Sequence, residues 1–403
     1  MKTIALKENL NRFWYIFLLP LLAIIFFIIA TKIVNPVEYP NSDFFTFWLS
    51  GRLASLGQNP YNSQIWITGH HQFGASWIPD ATFIYPLPIS LLFIPLGLLP
   101  LYQAFIAWNT LSQLMIVSSI ALLLMTNSNL STKRFIFPLL VGVILFRPTI
   151  ITLVNGQLSG MLLLLIACTT YLWERGKWGQ GAALLAFLAL KPNLGIPLIV
   201  LLSVYLIQQK QITSLIAEAV SGLLLLLAGF VQNPNWLIEF WNAGNTKLSQ
   251  TFGFSPTIWG MSAFFCNYNL NCTVGYGVCM GLLFLIGYLY LLARKKNILS
   301  SALVVSLAIA ITLLLTPYIW PYDQLLLVAP IVTMTIMLAK DGYGYLPASL
   351  LFLTIDILAL ILLGISGKIQ MEIWNVSIPL LIFGLLIWYI WRNKPISRVA
   401  DAA

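Results

Sequence analysis

The sequence predicts an all-α polytopic membrane protein, and three observations carry that expectation. Of its 403 residues, 59% are hydrophobic and only 8% charged, whereas soluble domains carry about 25% charged residues. Mean hydropathy is +0.89. Apolar stretches long enough to cross a bilayer recur from residue 14 to residue 391, and about 20 such residues make one crossing. A cytosolic enzyme, a disordered chain and a secreted disulfide scaffold are excluded. The net charge of +9 does not imply nucleic acid, because cytosolic loops of membrane proteins gather Lys and Arg. We expect a single transmembrane domain over residues 1–403, a bundle of roughly 12 helices with an even number of crossings favoured.

Lys2, Lys7 and Arg12 precede an apolar run over 14–30. The run is too long for a signal-peptide core and lacks a small-residue cleavage site. It reads as a retained first helix with a cytosolic N terminus. Lys133-Arg134, Arg175 with Lys177, Lys210, Arg294-Lys295-Lys296, Lys340, and Arg392 with Lys394 and Arg398 separate later apolar runs. With all of these inside, the cytosol holds 15 of the 21 basic residues, as the positive-inside bias requires. Lys32, Arg52, Arg147, Lys191, Lys247 and Lys368 then lie outside. The expected extracytoplasmic loops are 34–83 and 232–272, with shorter outer turns at 147–157, 191–193, 317–323 and 364–375. Residues 392–403 are expected to be a cytosolic tail, and the chain to be a multi-pass protein of the inner (plasma) membrane. The stretch 85–125 breaks at Pro100 while its flanking charges demand one net crossing. Residues 85–99 are therefore expected to form a short half-helix or to lie along the interface.

Polar residues are scarce, so those at outer helix ends stand out. In Asn41-Ser42-Asp43, Ser42 or Asp43 can cap an aromatic-rich helix that ends near Gly57. Arg52 comes nine residues after Asp43, about 180° round an ideal helix, so the two do not pair within it. Asp43 reads locally either as a cap or as a group aimed elsewhere. Tyr85-Pro86-Leu87-Pro88 marks a helix start. Arg147-Pro148, Asn155-Gly156-Gln157 and Lys191-Pro192-Asn193 interrupt apolar runs with a breaker beside a cation or an amide. Such breaks are tolerated where they line a wet cavity. A cation at membrane depth costs about 3 kcal/mol, which points to an anionic partner such as a phosphate. Pro317-Tyr318-Ile319-Trp320-Pro321-Tyr322-Asp323 sets aromatic side chains beside one acid, suited to a sugar or to an interfacial belt. Asp356 lies within an apolar run and reads as functional or as a helix–helix hydrogen bond.

Several features read blandly. His70 and His71 are adjacent, which disfavours joint chelation; a solvated loop is expected, and no metal or cofactor. Cys168 and Cys279 read as packing residues. Cys266 and Cys272, in the second outer loop, are either a disulfide or two thiols, since spacing does not fix geometry. Trp236, Phe240, Trp241, Phe252 and Trp259 suggest an amphipathic surface helix in that loop. No Gly-rich phosphate loop occurs.

The order of these motifs resembles bacterial glycosyltransferase family 87, polytopic enzymes of the GT-C class. Its pieces here are Asp43, Gly51-Arg52, Gly57-Gln58-Asn59-Pro60-Tyr61, Tyr85-Pro86-x-Pro88, Asn155-Gly156-Gln157, Lys191-Pro192 and Pro317-x-x-Trp320-Pro321-Tyr322-Asp323, covering about residues 40–330. The resemblance implies transfer of a hexose, often mannose, from a polyprenyl-phosphate donor on the extracytoplasmic face. It also implies juxtamembrane helices in the outer loop, and a first-loop Asp, hence Asp43, as catalytic base. Some members carry histidine in the Pro-x-x-Trp segment. This chain has Tyr318 and Tyr322 there, so no histidine role is carried over.

An acceptor hydroxyl needs a base near its proton, and cations can stabilise a departing phosphate; Lys191 and Arg147 are the candidates. Arg52, Tyr61, Tyr85, Asn155, Gln157, Tyr318, Trp320, Tyr322 and Asp323 are the further substrate-binding candidates. The expected partners are the lipid-linked donor, a glycolipid, glycan or protein acceptor, and membrane lipid. The alternative is a transporter or flippase using Asp356, Arg147 and Lys191 as pathway residues.

Overall fold

The computed structural model describes residues 20–126, 133–295, 299–343, 345–369 and 371–392. Lys2, Lys7, Arg12, Lys296, Lys394 and Arg398 lie outside the described residues, as does the tail beyond Arg392. Among the described residues all regular structure is helical. Helix α1 (Pro20–Ile33) leads to α2 (Asp43–Ser55) and α3 (Ser63–Gln72) in the first outer segment, then α4 (Leu87–Gly97) and α5 (Leu101–Met125). Next come α6 (Lys133–Leu145), α7 (Arg147–Asn155), α8 (Ser159–Glu174), α9 (Trp178–Leu185), α10 (Pro192–Gln208) and α11 (Ile212–Gln232). The second outer segment holds α12 (Trp236–Thr251) and α13 (Ile258–Phe265); α14 (Leu270–Arg294), α15 (Ser301–Leu315), α16 (Val328–Lys340), α17 (Tyr345–Ile369) and α18 (Ser377–Arg392) follow.

Six of these helical stretches are long and apolar enough to cross a membrane, and the pair Phe137–Leu145 and Arg147–Asn155, bent by 62°, makes a seventh. Six more apolar helices are only 10–17 residues long. Length alone therefore supports fewer than the roughly 12 crossings expected, because prolines cut several apolar runs short. Pro148 bends the α6–α7 pair, since it lacks an N–H and crowds the carbonyl four residues back. Helix α4, at 11 residues, is only about 17 Å long, against a hydrocarbon core of about 30 Å. Residues 85–99 thus do hold a short helix, and the crossing falls to α5.

Helix α15 is buried on all sides, as an apolar helix at the centre of a bundle must be. At the periphery the pattern inverts. Val220, Leu223, Leu224 and Leu227 of α11 and Leu283, Ile286 and Leu289 of α14 are exposed. A band of outward aliphatic side chains at helical spacing is a lipid-facing surface.

The segments expected outside meet at one end of the bundle. Asp43 touches Gln157, Lys191 bridges Gln157 and Asp323, Lys247 pairs with Asp80, and Arg147 pairs with Glu372. At the other end the Lys295 ammonium stacks 4.6 Å from the Trp391 ring, and the Arg392 guanidinium lies 4.8 Å from that of Tyr343. Cys266 and Cys272 form a disulfide between α13 and α14, closing the question that spacing left open. Cys279 is exposed on α14 rather than packed.

Candidate active site

Helix α2 carries Asp43 as its first residue. Ser42 is extended and caps the helix without a side-chain bond, so the Asp43 carboxylate is free for another partner. Phe44, Phe45, Phe47 and Trp48 are buried and anchor α2 against the bundle. Its crossing with α4 is backbone on backbone: a Cβ at Gly51 would stand 2.4 Å from the Phe93 carbonyl oxygen. Arg52 Nη1 donates to the Gly97 carbonyl at 3.2 Å, and its guanidinium lies over Trp48 and Phe73. The Gly-Arg pair therefore docks α2.

The facing wall is set by the end of α7. Gly156 has φ +67°, and a Cβ there would lie 2.6 Å from both Phe44 and Phe105, which stack at 4.8 Å. Only glycine takes that left-handed turn without strain. Trp108 Nε1 donates to the Gly156 carbonyl at 2.9 Å, and Asn109 to that of Leu153 at 2.7 Å. These contacts aim Gln157 at α2, and its Nε2 donates to Asp43 Oδ2 at 2.6 Å.

Gln157 also connects to a buried ion pair. Lys191 Nζ approaches Gln157 Oε1 at 3.4 Å, pairs with Asp323 Oδ1, and lies 4.8 Å from the Tyr322 ring. Asp323 accepts further from Ser159 Oγ at 3.3 Å and from the Trp320 N–H at 3.0 Å. The result is a continuous polar chain of Asp43, Gln157, Lys191 and Asp323.

Beside it opens a cavity of about 370 Å³, within the roughly 300–1,000 Å³ of small-molecule sites. Asp43, Tyr85, Asn155, Lys191, Tyr318, Trp320, Tyr322 and Asp323 line it, eight of the residues singled out in the sequence. Gln157 is buried behind Asp43. Three others stand elsewhere. Arg52 lies about 14 Å along α2 from Asp43 by helix rise. Tyr61 donates its hydroxyl to the Tyr85 carbonyl at 2.6 Å and so braces the wall. Arg147 makes a two-pronged pair with Glu372, at 2.7 and 3.2 Å, and bonds Asn375.

Two other lining residues carried no recognisable signal. Asp80 and Lys247, paired at 2.8 Å, stand 167 positions apart, and nothing local to either announces the other. Asn41, Thr46, Trp77 and Asn193 also line the cavity. The solvated-loop expectation fails for His70, which is buried against Phe45 and Trp66 with Nδ1 2.9 Å from the Trp66 carbonyl.

Burial holds the Asp43 carboxyl above the usual carboxylate range, because desolvation penalises the charged form. The Gln157 hydrogen bond and the Lys191 and Lys247 charges pull it down, while Asp80 adds to the rise. Burial likewise raises the Tyr85 and Tyr318 hydroxyls, so both remain protonated donors at neutral pH.

A lipid-facing helical bundle with a polar, ligand-sized cavity at one end defines a polytopic membrane protein with a polar substrate site. Residues 83–339 match the model of glycosyltransferase family 87, more than half of the chain. The chain belongs to that family and is a membrane glycosyltransferase. No curated protein matches it. The matched segment supplies Tyr85, Asn155, Gln157, Lys191 and Asp323. Asp43, Arg52 and Tyr61 precede it, so the first-loop part of the resemblance rests on those residues and their geometry.

Proposed function

We propose that the protein transfers a hexose, mannose being the first to test, from a polyprenyl-phosphate donor to an acceptor hydroxyl on the extracytoplasmic face, with inversion. One observation carries this reading: the Asp43 carboxylate borders a sugar-sized cavity and is held there by Gln157, which also touches Lys191. Asp43 takes the proton of the acceptor hydroxyl as its oxygen attacks the anomeric carbon. The bond from that carbon to the phosphate oxygen breaks on the opposite face, and its electron pair leaves with the phosphate. No protein acid is required, because phosphate is stable as an anion. Lys191 supplies countercharge, and aromatic walls from Tyr85, Tyr318 and Trp320 suit a sugar face.

The disulfide supports an outer location for residues 232–272, since such bonds persist in oxidising compartments. The gathering of Lys295 and Arg392 at the opposite end supports a cytosolic location there. Family membership favours transfer over the transport alternative.

The test is transfer by purified protein in nanodiscs, from radiolabelled polyprenyl-phosphate sugars to a membrane glycolipid extract. Asp43→Asn should lower turnover by about 10²–10⁴, the usual contribution of a positioned base, with donor binding kept. Turnover near wild type in that variant would refute Asp43 as the base.

A further inference from the structure

A second cavity, of about 420 Å³, adjoins the first. The two share Asp80, Lys247, Pro79 and Ile84, so the Lys247–Asp80 pair forms a common wall. The far side is one face of α12, with Glu239, Asn242, Thr246, Lys247 and Gln250 at steps of three, four, one and three residues. Leu237, Ile238 and Trp241 occupy the opposite face and are exposed, Trp241 by 72%. A helix polar on one side and openly apolar on the other lies in a membrane surface. The second cavity therefore sits at headgroup depth, beneath the polar face of a surface helix.

Its charges are already matched. Lys247 pairs with Asp80. The Glu239 carboxylate accepts from Asn59 at 3.0 and 3.1 Å and from Asn233 at 2.6 Å. Among the described residues no further cation lines this cavity to hold a phosphate. The remaining groups are hydroxyls and amides of Thr82, Asn242, Thr246 and Gln250, with the Tyr61 ring beside them. Such a set matches a neutral polyhydroxylated ligand, whose hydroxyls both donate and accept.

We propose that this second cavity is the acceptor subsite and takes the carbohydrate headgroup of a membrane glycolipid, while the donor sugar and phosphate occupy the first cavity. The inference rests on the transferase reading above. The acceptor hydroxyl would pass the Lys247–Asp80 wall to reach Asp43.

Photocrosslinking tests the subsite without requiring turnover. A benzophenone amino acid replaces Thr246, which lines only the second cavity, or Gln64, which lines a separate depression beside Arg52. The full-length protein in nanodiscs is irradiated with a radiolabelled membrane glycolipid extract, or with radiolabelled polyprenyl-phosphate mannose. The glycolipid should crosslink at position 246 at least tenfold more than at 64, and the donor should not. Equal crosslinking at both positions, or capture of the donor at 246, would overturn the proposal. In the transfer assay Thr246→Trp should raise the acceptor KM at least tenfold while donor KM and kcat hold. An unchanged acceptor KM would also overturn it. If the wild type moves no sugar from these donors, the polyprenyl-phosphate donor reading fails, and the crosslink still decides whether glycolipid occupies the second cavity.

Discussion

Replacing Asp323 with Asn would leave the Lys191 ammonium buried without its counterion. The Lys191 side chain is 4% exposed and that of Asp323 1%, so the pair is largely withdrawn from solvent. The remaining contacts, Gln157 Oε1 at 3.4 Å and the Tyr322 ring at 4.8 Å, are weak substitutes for a carboxylate. Breaking a buried pair by removing one partner costs about 3–5 kcal/mol, whereas replacing both partners by apolar groups is often neutral or stabilising. Asp323→Asn and Lys191→Met should each therefore lose about 3–5 kcal/mol, and Lys191→Met/Asp323→Leu should recover most of it. Unfolding by SDS titration in mixed micelles, followed through the 14 tryptophans, would give the differences. Single variants within 1 kcal/mol of wild type, or a double variant as unstable as either single one, would refute the argument. A refolded double variant should still fail to bind donor, separating the stability of the pair from the proposed phosphate role of Lys191.

Three further outcomes follow from the same geometry. Activity should fall as pH drops through the raised folded-state pKa of Asp43, because a base must be ionised; Gln157→Leu removes a hydrogen bond that lowers this pKa and should move the acid limb of kcat/KM to higher pH, and a limb that stays or moves down contradicts this. Gly51→Val sets side-chain atoms against the Phe93 carbonyl; it should displace α2 and cut kcat by about 100-fold, the scale of a 1 Å misplacement, and a wild-type kcat would show that the α2–α4 crossing does not position Asp43. Asp356 is buried with neither carboxylate oxygen bonded among the described residues, so Asp356→Leu should gain about 1–3 kcal/mol in the SDS titration with transfer intact; loss of transfer would restore a functional role for that acid.

What could be read in advance follows the range of the interactions involved. Helical class and lipid-facing character come from composition and from runs of tens of residues, which are local signals. The aromatic α2, the short α4 and the breaks at Pro148 and Gly156 are local as well. Asp43, Lys191 and Asp323 could be singled out because a charge beside a helix breaker is costly in an apolar chain. Their mutual arrangement could not, since Asp43–Gln157, Lys191–Asp323 and Lys247–Asp80 join positions 114, 132 and 167 residues apart. Lys247 illustrates the limit. On α12 it is an ordinary lysine of a surface helix, and only the fold brings Asp80 to it. Crossing number is not set by apolar run length alone, because run length and helix length diverge wherever proline intervenes.

Arg147 and Lys191 show why a cation at membrane depth does not by itself locate an anionic substrate. Both carry the same insertion cost, and both read alike in the sequence. Arg147 is clamped by the two Glu372 oxygens and by Asn375, while Gln324 donates to the Asn375 carbonyl at 2.8 Å. A planar fork engaged at two points is geometrically committed, and this one ties α7 to the turn before α18. Lys191 presents a point charge on a flexible stem, shares it among one carboxylate, one amide and one ring face, and borders the cavity. An arriving phosphate can draw on such a charge by a small swing of Nζ, while Asp323 keeps its bonds to Ser159 and Trp320. Releasing Arg147 would instead break a two-pronged ion pair and leave the Glu372 carboxylate only its bond from Asn375 at 2.6 Å among the described residues. The proposed phosphate role therefore goes to Lys191, and Arg147→Lys should disturb folding more than donor affinity.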